Sequence, residues 1–384
     1  MTMKRFLLHI IYITALLPFL ASCSQSEDVP TDASGNDHVQ LSLSVTARAL
    51  PQEGKEIGTG EPDNMHLWVF GLKNNGNKPS DNDYTLLSYR DIKSPSFTGS
   101  DAFGNPVHTI TDLDIPDGKK YKKMYFYVVL NSGSVKGLEN LNVEDLENQN
   151  KITKISELQA LTFTGIVSGK DDNQMLMYGV SDPLEINPHK TNYETNIDVT
   201  RAVAKLELHF TKKESTSTLN IKKVTLSSVI GKGYLVPTPL LNDNTIYKQS
   251  ATNVELFNGS ETIDKALEEE DLYGNFSEYE TTNFKELALS APYLMENPYG
   301  LDWTDNQTDE KYPETDSSAD VSKYYQLTVD YVIDGSADTE KFYLPKIERN
   351  HLYKIYVRAR STNIELNWEV VPFDQVTNDI PIFN

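Results

Sequence analysis

Cysteine is almost missing from this chain: of 384 residues only Cys23 is one. No disulfide, Cys-based zinc site or thiol nucleophile can be built from the rest. Positive charge is scarce too, 35 Lys and Arg against 56 Asp and Glu, a net charge of −21. That balance argues against nucleic acid or an anionic membrane surface as partner and suits a secreted protein that must stay soluble. The histidines beyond the first turns of the chain (His38, His66, His108, His189, His209 and His351) never pair at metal-ligand spacing, and His209 reads as solvated on the polar face of its strand. Gly165-x-x-x-Gly169-Lys170 is one residue short of a P-loop, with Asp171 where Ser or Thr is needed, and Gly179–Pro183 lacks the second glycine of a nucleophile elbow. Asp81 with Asp83, and Asp112 with Asp114 and Asp117, do not follow the order of an EF-hand loop and read as surface turns. Glycosidase carboxylates are positioned by the fold rather than by local spacing, so the many acids speak neither for nor against such a pair. With no catalytic signature, no metal site and no cofactor motif, the chain reads as a structural or binding protein and not as an enzyme.

What is present begins at the N-terminus. Lys4 and Arg5 precede an apolar run over residues 6–19, and Leu20-Ala21-Ser22-Cys23 follows. A basic start, a short apolar core and small residues before the cut describe a secretory signal, not a membrane span. The tetrad resembles a bacterial lipobox, so residues 1–22 are expected to be removed and Cys23 acylated. The tether from SQSED to Asp37 is polar and acidic and has no means of burying a core.

Residues 39–48 (VQLSLSVTAR) organise the rest. Val39, Leu41, Leu43 and Val45 alternate with Gln40, Ser42, Ser44 and Thr46, the period of a half-buried strand. Arg48-Ala49 follows, and then a Gly- and Pro-rich loop, PQEGKEIGTGEPDN. An apolar strand held to the body through an exposed loop with a basic cleavage point has the makings of a removable lid, and equally of an ordinary first strand and turn.

Further strands are read at residues 65–72 (MHLWVFGL), 124–130 (MYFYVVL, buried on both faces), 175–180, 184–186, 200–210 (TRAVAKLELHF), 221–230, 287–289, 324–332, 342–344, 351–359 and 364–370. The interval 78–117 is polar with short strand-like pieces such as 84–89, and 188–198 reads as polar and turn-rich. Helices are expected around Leu138, Leu141 and Leu146, around Ile155, Leu158 and Leu161 with Ser156 and Gln159 as a capping box, and at 263–272; an acidic loop fills 296–320. These readings predict a mainly β chain, two β-sandwich domains of transthyretin-like, Greek-key type in series with a few short helices. The expected divisions are a signal peptide (1–22), a lipidated propeptide with the strand (23–48), an N-terminal sandwich (49–198) and a C-terminal sandwich with a tail (199–384).

Four segments in order resemble the fimbrillin family, the subunits of the type V pili of Bacteroidales: the lipobox with its alternating strand ending at Arg48-Ala49; Tyr127-Val128-Val129-Leu130-Asn131; Thr200-Arg201-Ala202-Val203-Ala204-Lys205; and Arg349-Asn350-His351-Leu352-Tyr353-Lys354-Ile355. The resemblance implies export to the outer membrane as a lipoprotein and cleavage between Arg48 and Ala49 by a trypsin-like, Arg-specific protease. It also implies a groove, vacated by the strand, that accepts the C-terminal strand of a neighbouring subunit in a cell-surface fimbria serving adhesion and biofilm. The tail supplies Val376, Ile380, Ile382 and Phe383 as donor side chains. Partners are then other copies of the chain, the protease, the outer membrane through the lipid before cleavage, and a surface receptor. An anchor would stay uncut and a tip would lack a donor strand. A glycan-binding surface lipoprotein, with Trp303 or Tyr299 as platform, is the reading outside the family.

Overall fold

The computed structural model describes residues 37–47, 62–73, 79–102, 105–134, 152–164, 175–236, 253–268, 282–290, 292–299, 321–344, 346–360 and 364–372. Strands dominate, as the alternating runs require. In chain order they are β1 (Val39–Ala47), β2 (Asn64–Leu72), β3 (Tyr84–Lys93), β4 (Gly99–Ser100), β5 (Pro106–Ile115), β6 (Lys123–Leu130), the helix α1 (Ile155–Gln159), β7 (Thr162–Thr164), β8 (Met177–Val180), β9 (Leu184–Glu185) and β10 (Asn192–Arg201). The second half continues with β11 (Ala204–Lys212), β12 (Leu219–Ser227), β13 (Lys232–Tyr234), β14 (Val254–Ile263), β15 (Lys285–Glu286), β16 (Tyr293–Leu294), β17 (Gln326–Ile333), β18 (Ser336–Tyr343), β19 (His351–Ala359) and β20 (Ile364–Pro372).

Each half is a sandwich. In the first, β4-β5-β1-β10 and β3-β2-β6-β8 form the two layers, joined where the last two residues of β10 pair with β8. Their facing side chains make one core, Val39, Leu41, Leu43 and Val45 packing with Met65, Leu67, Val69, Met124, Phe126, Val128 and Leu130. Because β2 and β6 carry apolar residues on both faces, their other face is buried as well: Trp68, Phe70, Tyr125, Tyr127 and Val129 pack with Ile155 and Leu158 of α1 and belong to a second core. In the second half, β15-β11-β19-β20 lies against β14-β12-β17-β18, and their facing side chains extend that second core. The small β7–β13 pairing ties the halves together, and residues 37–384 form one compact unit.

Several expectations change. Residues 192–201 are a continuous strand, not a turn-rich stretch, so the chain turns from β10 into β11 at Ala202-Val203. The interval 78–117 holds two ten-residue strands, β3 and β5. Ile263 ends β14, and residues 264–268 are not helical. The helix at Ile155 is present, but its start is capped by the Glu157 carboxylate, which accepts the Lys154 N–H at 3.1 Å and the Thr153 N–H at 2.8 Å. Ser156 instead donates its hydroxyl to Asp81 at 2.7 Å. The helix expected around Leu138 lies outside the described residues.

Candidate strand-binding slot

β1 sits inside a sheet, not at its edge. It runs parallel to β10, Leu41 opposite Tyr193 and Val45 opposite Ile197, and antiparallel to β5, Val39 opposite Ile115 and Leu43 opposite Ile110. A bulge in β5 between Leu113 and Ile110 shifts the register opposite Ser42. Val39, Leu41, Leu43 and Val45 are each at most 1% exposed. At ~1.5–3 kcal/mol of transfer free energy per side chain, their burial contributes ~6–12 kcal/mol as an upper bound, on the scale of a whole domain's stability. Were β1 absent, β5 and β10 would each present a row of unpaired backbone donors and acceptors on either side of an apolar trench.

The outer side of β1 is held by weak polar contacts. His38 Nδ1 lies 3.0 Å from both Asp114 carboxylate oxygens, and the Gln40 amide donates to the same carboxylate at 2.9 Å. Lys119 N–H donates to the Asp37 carbonyl at 2.9 Å, so the turn after β5 closes over the start of the strand. Ser42 and Ser44 are half-buried, while Thr46 is buried and donates to Asn196 Oδ1 at 3.0 Å. No charged side chain lies within β1 itself.

Of the residues expected to act, Val39, Leu41, Leu43 and Val45 are therefore gathered on one buried face. Cys23, Arg48, Ala49, Val376, Ile380, Ile382 and Phe383 lie outside the described residues, as does Trp303. Tyr299 is half-buried, its backbone N–H on Asn297 Oδ1 and Lys323 Nζ 5.0 Å from its ring. The acids weighed as calcium ligands serve turns and pairs: Asp83 accepts from Ser80, which lowers its pKa, and Asp117 pairs with Lys120 Nζ at 2.6 Å.

Two of the segments that carried the resemblance meet in space. The Asn350 carboxamide oxygen accepts the Arg201 N–H at 3.2 Å, and its backbone N–H donates to Val203 at 2.9 Å, fixing the turn between β10 and β11. Asn350 has φ 57°, a left-handed conformation that asparagine tolerates. Its neighbour Arg349 donates to Glu296 at 2.7 and 3.1 Å and to the carbonyls of Tyr234 and Leu235, with the Tyr178 ring 5.4 Å away. Asn131, also left-handed at φ 58°, accepts the Asp63 N–H and donates to the Met175 carbonyl. These motif residues are joints of the scaffold.

No family model matches the sequence, and no curated protein matches it. Among solved structures, a tip fimbrial protein of Porphyromonas gingivalis with a truncated C-terminus superposes with a TM-score of 0.50 over 87% of this chain and 99% of that one, at 14% identity. The chain has the fold of a fimbrial protein. A fimbrial assembly protein of Parabacteroides distasonis also matches, with a TM-score of 0.46 at 13% identity over 87% of this chain and 99% of that one. Among the described residues, the slot around β1 joins a strand paired on both sides to a fully buried apolar face.

Proposed function

We propose that the chain is a fimbrillin-type subunit of a cell-surface fimbria, built to exchange one strand. It is exported as a lipoprotein acylated on Cys23 and cut between Arg48 and Ala49 by an Arg-specific protease. The strand β1 then leaves, and the slot between β5 and β10 receives the C-terminal tail of a neighbouring copy. The observation that supports this most is the position of β1: a nine-residue strand hydrogen-bonded on both sides, its four apolar side chains buried, ending one residue before Arg48. A strand holding ~6–12 kcal/mol does not leave often by itself, so an irreversible cut suits the trigger. Head-to-tail insertion is heterologous and does not close, so it builds a filament.

Treatment of the purified chain with an Arg-specific protease tests the reading. Expected are a new N-terminus at Ala49 and a ladder of polymers, lost when the residues after Phe373 are deleted. A cut chain that stays monomeric under conditions where β1 has dissociated would sink it. A second reading, a tip subunit, takes its support from the role named for the Porphyromonas protein. A tip would be cut and accept a strand, and removal of its own tail would leave its incorporation unchanged.

A further inference from the structure

The floor of the slot is not uniform. Beneath Val39 it is made by the backbone of Gly118: a Cβ built there would lie 2.7 Å from Val39 Cγ2, 2.8 Å from Val39 Cβ and 3.1 Å from Met124 Cε. Gly118 follows Asp117, which is left-handed at φ 59°, in the same turn whose Lys119 N–H holds the Asp37 carbonyl. Ile115 closes the side, and Val39, Ile115 and Met124 are all fully buried. The valine therefore rests directly on the backbone of the turn, and close-packed interiors do not accept an extra methylene without displacing neighbours. Resting on the strand-exchange reading above, we infer that this pocket is a size filter that sets the register of the incoming strand, and that Val376 of a second copy is the residue it takes.

The tail 373–384 (FDQVTNDIPIFN) contains a single valine. With Val376 in the place of Val39 and the strand running in the direction of β1, Ile380 and Ile382 follow at the places of Leu43 and Val45. Pro381 falls on the outward side, at the place of Ser44. Asn378 comes to the place of Leu41, opposite Tyr193 and Leu113, and Pro381 brings no N–H to a place paired on both sides; both are mismatches in this register. A shift by two residues puts Asp374 or Asn378 on the Gly118 floor, and a shift by four puts Ile380 there.

The test uses the full chain cut after Arg48 and a fluorescent peptide of residues 374–384, with binding read by anisotropy. Val376→Leu should weaken binding tenfold or more and Val376→Phe should abolish it, whereas Asn378→Leu should tighten it tenfold or more. In a chain carrying Gly118→Ala the preference should invert, the Val376→Ala peptide binding better than the parent; the peptide series on the wild-type chain stands by itself if that variant does not fold. Equal binding of the Val, Leu and Phe peptides would overturn the filter. Binding by a peptide of residues 37–47 but not by the tail would overturn Val376 as the occupant. Entry of neither peptide into a cut chain would overturn strand exchange itself, and the filter with it.

Discussion

β1 and β11 occupy matching places. Each opens its sandwich, and each runs parallel to a strand from the end of its half, β10 for β1 and β19 for β11. They differ in how they are tied down. β11 follows β10 after two residues, its turn is pinned by Asn350, and its outward face is charged and largely covered: Lys205 lies 3.3 Å from Glu207, Glu207 lies 3.6 Å from His209, and His209 stacks on Tyr356 of β19. β1 has a neutral outward face and polar ties only near its two ends, at residues 37–40 and at Thr46. Withdrawing β1 exposes apolar surface but strands no ion; withdrawing β11 would disrupt a buried polar layer, which costs far more per residue. On the strand-exchange proposal, hydrophobic burial is the tie that suits β1, because another apolar strand can replace it.

The sharpest way to break this comparison is a buried charge in each strand. Leu43→Asp and Leu208→Asp both place a carboxylate where exposure is 0%, and each should cost more than ~4 kcal/mol in chemical denaturation. The outcomes then diverge. A wild-type peptide of residues 37–47 added in trans should restore the Leu43→Asp chain, whereas a peptide of residues 202–213 should do nothing for Leu208→Asp. Rescue of both, or of neither, would remove the distinction between the strands.

A second contrast is acid sensitivity in the first sandwich. His66 on β2 is buried, with Nδ1 2.8 Å from the Tyr89 hydroxyl and Nε2 2.8 Å from the Ser132 hydroxyl. Burial pushes its pKa down to about 4, the nearby Asp91 carboxylate opposing and Lys93 reinforcing the shift. Between pH 6.5 and about 4 the unfolded chain binds a proton that the folded one refuses. Stability is therefore complete above pH 6.5 and falls as the pH drops toward 4, by about 3 kcal/mol in all. Thermal unfolding of the wild type and of His66→Gln from pH 7 to 4.5 checks this: the variant should lose less over that range, and parallel curves would dismiss the histidine as the cause.

Much of this architecture was legible in the sequence because β1 alternates strictly and β2, β6 and β19 are dense in apolar residues. The walls of the slot were not. β5 carries a bulge at residues 111–112 that breaks its alternation, so Ile110, Leu113 and Ile115 look unrelated along the chain. β10 shows only Tyr193, Ile197 and Val199 among polar residues, since its outward face is solvated and Thr195 takes one inward place. β18 is exposed over most of its length, so only its end, at 342–344, reads as a strand; the Asp334-Gly335 turn, with φ of 48° and 83°, folds it back on β17. The roles of Arg349 and Asn350 were invisible for a different reason: their partners, Glu296 and Arg201, are distant in sequence, and no local pattern announces such a joint.

That joint gives an intermediate effect. Asn350→Ala removes the acceptor for Arg201 N–H and leaves a left-handed residue without the side chain that tolerates it, so about 1–3 kcal/mol should be lost. Asn350→Gly keeps the backbone permissive and should lose less, about 1 kcal/mol. Equal losses would mean that φ plays no part there.

The smallest effect belongs to the polar tie at the entrance of β1. His38 and Asp114 are 38% and 42% exposed, so water competes for the pair and screens it. Asp114→Asn should change equilibrium stability by no more than ~0.5 kcal/mol, because the Gln40 amide keeps an acceptor and the four buried side chains are untouched. Its effect should be sought instead in the rate at which β1 leaves after the cut, since an end contact must break before the apolar side chains can follow. A release rate unchanged in Asp114→Asn, with stability also unchanged, would mean that departure begins at the other end of the strand, near the cleaved loop.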